Sequence, residues 1–149
     1  MVLGVTRCAV TALQTPRASR LPLWPAPPTH APLVSLRERG LNLRLVSNAF
    51  DPADLLHRDL AEMGVAERLD VAVFSSEVGR RKPDPLIFEE ALGRLGVAPE
   101  RVLFVGDTLA TDIAGAAALG IHTCLARWFR ADEGSQAPEP DFEAFTQMD

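Results

Sequence analysis

One grammar repeats along this chain from residue 33 onward: a short apolar run, a polar turn, a helix-length stretch and a glycine. The runs are Leu41-Asn42-Leu43-Arg44-Leu45-Val46, Val71-Ala72-Val73-Phe74, Val102-Leu103-Phe104-Val105 and Ile121-His122-Thr123-Cys124-Leu125. Helices are predicted over 33–39, 51–63, 84–95 and 110–119, stopped by Gly40, Gly64, Gly96 and Gly120. Asp51 and Asp84 stand as caps with Pro52 and Pro85 at first helical positions, where a missing N–H costs nothing. Strands alternating with helices of this length require right-handed crossovers, so the sheet is parallel and covered on both faces. The expected fold class is α/β, in three layers.

The 149 residues suit one compact core. Three segments are expected: a Pro/Arg-rich, poorly ordered head over 1–32, an α/β core over 33–130 and a loosely ordered tail over 131–149. The head has no Asp or Glu, and its prolines block both helix interiors and sheet ladders. The same prolines break the amphipathic helix that a transit peptide needs. Scattered arginines ahead of an acidic body form no basic patch, which argues against nucleic acid as a partner. No apolar run reaches the roughly 20 residues of a membrane span. The only cysteines are Cys8 and Cys124; Cys124, inside an apolar run, reads as a buried reduced thiol, consistent with a cytoplasmic location. His57 and His122 lack ligand spacing and read as surface or packing residues.

In a parallel α/β sheet all strands end on one edge, so residues just past them converge. Here these are Ser47-Asn48, the loop 75–82 ending in Lys82, and Gly106-Asp107, with Asp112 five residues beyond Asp107. Taken singly, each has an ordinary reading: a turn, a solvated lysine, a helix cap. Taken together they offer N–H groups to an anion, a cation to offset it, and a carboxylate for a hard cation such as Mg²⁺, which accepts few protein carboxylates and keeps its waters.

Three segments carry a specific resemblance. Leu45-Val46-Ser47-Asn48, then Gly79-Arg80-Arg81-Lys82-Pro83-Asp84-Pro85, then Val105-Gly106-Asp107-Thr108 with Asp112, resemble the second, third and fourth motifs of the haloacid dehalogenase-like hydrolase superfamily. The likeness runs from about residue 33 to 127 and implies a Rossmann-like core. It implies that Ser47 and Asn48 bind a phosphoryl group, that Lys82 offsets charge there, that Asp107 is a Mg²⁺ ligand and that Asp112 supports the metal site. A small phosphorylated metabolite is the partner so implied.

The family's reaction also needs an aspartate nucleophile on a first strand, in an Asp-x-Asp motif, so that water hydrolyses an acyl-phosphate. This sequence has no acidic residue before Glu38, and its first aspartate, Asp51, already follows the second motif. The missing strand belongs at the sheet's centre, and its loss would split the sheet and expose edges open to self-association. Cys8-Ala9-Val10-Thr11-Ala12-Leu13 is the available surrogate, though it carries no carboxylate. The expectation is an amino-truncated or divergent member of a Mg²⁺-dependent phosphomonoesterase lineage. The alternative is a non-catalytic remnant that holds Mg²⁺ and an anion. A receiver domain fits less well, since its hydroxyl and lysine should follow its aspartate, whereas Ser47 and Lys82 precede Asp107.

Overall fold

Residues 8–11, 30–94, 96–127 and 138–145 are described in the computed structural model. Six strands form one parallel sheet: β1 Cys8–Thr11, β2 Asn42–Ser47, β3 Val71–Phe74, β4 Leu103–Gly106, β5 His122–Ala126 and β6 Phe142–Ala144. Their order is β3-β2-β1-β4-β5-β6. The helices are α1 His30–Glu38, α2 Ala53–Glu62, α3 Ser75–Val78, α4 Pro85–Gly93 and α5 Ala114–Ala117.

Side chains on successive strand residues point to opposite faces, and β2 shows what that requires here. Leu43 and Leu45 join Leu33 of α1 and Leu56 and Leu60 of α2 in one buried cluster. Val46 joins Ile87, Phe88 and Ala91 of α4 and Ala116 of α5 in another. A strand buried on both faces reads as a nearly continuous apolar run, as β2 does. Arg44 is the exception and is only 1% exposed. Its guanidinium donates to the carbonyl of Ala91 in the last turn of α4. A carbonyl in the last turn of a helix carries the negative end of the helix dipole, which favours a cation there.

β1 lies between β2 and β4, with Thr11 level with Leu45 on one side and Val105 on the other. The central position is therefore filled by the surrogate segment, in a strand of four residues. The sheet's edges are β3 and β6. The remainder of the head, 1–7 and 12–29, and the tail segments 131–137 and 146–149 lie outside the described residues, as do Leu95 and the Cys8 side chain. No helix among the described residues is long and apolar enough to cross a membrane.

Local expectations need correction, among them the start of α1, which is at His30, inside the predicted head. Asp51 does not cap α2, which begins at Ala53 with Pro52 as the flanking residue. The Pro52 carbonyl already accepts from the N–H groups of Leu55 and Leu56, so Asp51 sits one position too early. Asp84 does cap α4, accepting from the Leu86 N–H at 3.0 Å. Within the tail, 142–144 is a strand, parallel to β5.

Asp141 ties the start of β6 to β5. Its Oδ2 accepts from the Thr123 N–H at 2.7 Å and the Thr123 hydroxyl at 3.1 Å, while its own N–H donates to Thr123 Oγ1. The Thr123 backbone bond, with the Thr123 hydroxyl and His122 adding to it against burial, holds this carboxyl below its ordinary value. A carboxyl depressed on folding stabilises above its unfolded pKa, about 3.9, and that contribution fades as pH falls through the lower folded value. The Arg127 N–H, which donates to the Ala144 carbonyl, reports on this docking. Its hydrogen-exchange protection is expected to fall between pH 5 and pH 3, and Asp141→Ala should show low protection at both. Equal protection in the variant and the parent would remove Asp141 from this role.

Candidate functional site

The carboxyl edge of the sheet brings the motif residues together through a small set of bonds. Ser47 ends β2 and is 1% exposed, level with Phe74 at the end of β3. After β3 the chain makes the single turn of α3, and Gly79 ends it with φ of 72°. This left-handed conformation suits glycine and turns the chain back toward β2.

Asn48 then fixes the returning loop. Its side-chain carbonyl accepts from the Lys82 N–H at 2.7 Å, and its side-chain amide donates to the Lys82 carbonyl at 3.1 Å. Ser75 makes a second tie of the same kind, donating its hydroxyl to the Ala49 carbonyl and accepting from the Ala49 N–H, both at 2.9 Å. Sequence reading did not single out Ser75. The available signal was a hydroxyl immediately after a buried strand, at the start of a loop that must be held.

Between these ties the Lys82 side chain runs into the interior. Its Nζ donates to the Val46 carbonyl at 3.1 Å and lies 2.7 Å from Asp112 Oδ1, in a close ion pair rather than an aligned hydrogen bond. The side chains are 5% and 2% exposed. Burying either charge alone is costly, and the opposite charge in contact offsets that cost. The Phe104 ring lies beneath, its centroid 5.5 Å from Nζ.

Asp112 reaches this position because the chain after β4 winds widely over Leu109–Ile113. The Thr108 carbonyl accepts from both the Asp112 and Ile113 N–H groups, spacings of four and five residues. Asp112 Oδ2 thereby reaches back to the N–H groups of Asp107 and Thr108, at 3.1 and 3.3 Å. It packs directly over Gly106, where a Cβ would come within 2.4 Å of the Asp112 Cβ. Asp112 thus caps nothing ahead of it, and both its oxygens face protein partners. Asp107 is half-buried beside it, its Oδ1 accepting from the Thr108 hydroxyl at 3.1 Å.

All five anticipated residues therefore meet at one edge, but in two tiers. Asn48 and Asp112 hold backbone and ammonium in place; Ser47 and Asp107 stand at the ends of β2 and β4, and Lys82 reaches in from the loop after α3. No group of three or more His, Cys, Asp or Glu side chains gathers as a metal site among the described residues. His57 is an exposed residue set edge-on to Phe74, and His122 is half-exposed beside Asp141. Cys124 is buried and free, its thiol pushed up by burial and by Glu143.

Known proteins resemble this chain in sequence and fold. The sequence pattern of one family, described as haloacid dehalogenase-like hydrolase, matches residues 24–120. A phosphoserine phosphatase of Thermus thermophilus is 38% identical over 122 residues, covering 82% of this chain and 45% of that protein. A glyceraldehyde 3-phosphate phosphatase of Methanothermobacter thermautotrophicus is 38% identical over 103 residues, covering 69% and 45%. Among solved structures, that of a HAD phosphatase from Thermococcus onnurineus superposes with a TM-score of 0.70 at 30% identity, covering 82% of this chain and 54% of that one. The chain spans about half the length of the curated relatives it matches.

Proposed function

The chain belongs to the haloacid dehalogenase-like hydrolase family, and from that premise we propose that it is a phosphoryl- and Mg²⁺-binding member of a phosphomonoesterase lineage that lacks its own attacking carboxylate. The observation that carries this reading is the buried Lys82–Asp112 pair, tied by Asn48 to the end of β2.

The roles follow from the bonds. An ammonium has three protons; Lys82 donates to the Val46 carbonyl and is ion-paired with Asp112 without an aligned hydrogen bond, so a donor remains for a phosphoryl oxygen. Ser47 supplies a hydroxyl at the adjacent strand end. Asn48, its side-chain amide engaged by the Lys82 backbone, contributes by fixing the loop rather than by touching the ligand. Asp107 is the carboxylate for Mg²⁺, with waters completing the shell, and Asp112 supports it from behind by holding the Asp107 and Thr108 N–H groups. A hard cation with few protein ligands suits this donor set; when bound it would offset phosphoryl charge. The family's covalent step needs a carboxylate on the strand between β2 and β4, and no acidic residue precedes Glu38. The phosphatase names of relatives support a small phosphorylated metabolite as the ligand class.

Titration calorimetry of inorganic phosphate with Mg²⁺ tests the reading. Binding is expected in the parent chain, and Lys82→Ala should weaken it about tenfold or more, the value of one charge-assisted hydrogen bond. Phosphate binding indifferent to Lys82→Ala would overturn the assignment.

A further inference from the structure

Arg81 stands apart from the other arginines on the carboxyl side of the sheet. Arg80 is 3.8 Å from Asp84, and Arg127 is 2.6 Å from Glu143. Arg81 has no carboxylate partner among the described residues. Its guanidinium instead lies 4.0 Å from the centroid of the Phe50 ring. Phe50 is itself 64% exposed, so a large aromatic ring and a cation with no carboxylate partner among the described residues meet at the surface.

Their position is set by the bonds that build the site. Phe50 follows Ala49, which Ser75 holds, and Arg81 precedes Lys82, which Asn48 holds. The Arg81–Phe50 pair therefore bridges the two loops that carry Ser47 and Lys82. Charge is distributed unevenly between neighbours: the Lys82 ammonium is matched by Asp112 in the interior, whereas the Arg81 guanidinium is matched by no carboxylate at the rim among the described residues. A guanidinium stacked on a ring is fixed in orientation while its edge keeps N–H donors for a planar oxyanion. Such a group loses less freedom on binding than a solvated lysine would.

We infer that Arg81, held on Phe50, is a specificity residue that recognises a second anionic group, a carboxylate or a further phosphate, on the part of a phosphomonoester that projects from the site. This inference rests on the phosphate-site reading above and adds the class of ligand.

Three ligands of matched length test it by calorimetry on the full chain with Mg²⁺: propyl phosphate, 3-phosphooxypropionate and propane-1,3-diyl bisphosphate. At least one of the two ligands with a second anionic group is expected to bind about fivefold tighter than propyl phosphate, the value of a well-formed exposed ion pair. Which of the two gains identifies the second group. Arg81→Gln should erase the gain and leave propyl phosphate unchanged, and Arg81→Lys should keep part of it. If propyl phosphate binds through Lys82 and neither second anion adds affinity, the Arg81 inference falls alone. It also falls alone if Arg81→Gln weakens all three ligands alike. If none of the three binds, the phosphate-site reading falls with it.

Discussion

Asp112→Ala is expected to destabilise the fold by about 3–5 kcal/mol, because it leaves the Lys82 ammonium buried without its counter-charge. Among the described residues, what then remains for Lys82 is the Val46 carbonyl and the Phe104 ring beneath it. The same change strips the Asp107 and Thr108 N–H groups of their acceptor, so the loop after β4 loosens as well. Urea denaturation measures the first effect and phosphate affinity the second. Removing both charges, as in Lys82→Met with Asp112→Leu, should cost much less than the sum of the single changes. A buried pair replaced by apolar side chains loses its attraction and its desolvation cost together. Additive losses, or a cost below about 1 kcal/mol for Asp112→Ala alone, would mean that the pair does not hold the site.

Gly106→Ala should also act strongly, through space rather than charge. The added Cβ would meet the Asp112 Cβ at 2.4 Å and its Cγ and Oδ2 at 2.7 Å, closer than atoms pack. Asp112 is 1% exposed and cannot step aside into solvent. Overpacking of this kind costs roughly 1–3 kcal/mol. Here it should also reduce phosphate affinity, since the displaced carboxylate orients Lys82. Gly93→Ala is the control: nothing lies within 4 Å of its added Cβ, and it ends α4 on the surface. It should leave both stability and binding nearly unchanged. A Gly106→Ala variant as stable and as competent as Gly93→Ala would show that Asp112 has room to move.

Most of this fold was legible because strands buried on both faces announce themselves. Leu43, Leu45 and Val46 read as one run since two helical layers cover them, and the predicted strands agree with the observed ones to within about a residue at each end. β6 was not legible. Three residues after Pro138 and Pro140 carry little local signal, and the strand depends on Thr123 and Arg127, which belong to β5 and the turn after it. Convergence of Ser47, Lys82 and Asp107 followed from topology alone. The tasks of Asn48 and Asp112 did not, because both depend on where a side chain goes after the backbone has turned. The sequence left Asp112 a cap or, by the family resemblance, a support of the metal site. The wide winding over Leu109–Ile113, which aims it backward at Lys82, has no signature in the apolar pattern.

If this chain holds a phosphoryl group without an attacking carboxylate of its own, binding and turnover must separate in a single preparation. Hydrolysis of p-nitrophenyl phosphate by the purified 149-residue chain with Mg²⁺ provides that test. No turnover above background is expected from the same preparation that binds inorganic phosphate. Turnover that is abolished by both Lys82→Ala and Asp107→Ala would refute the proposal, since catalysis would then be running through this site.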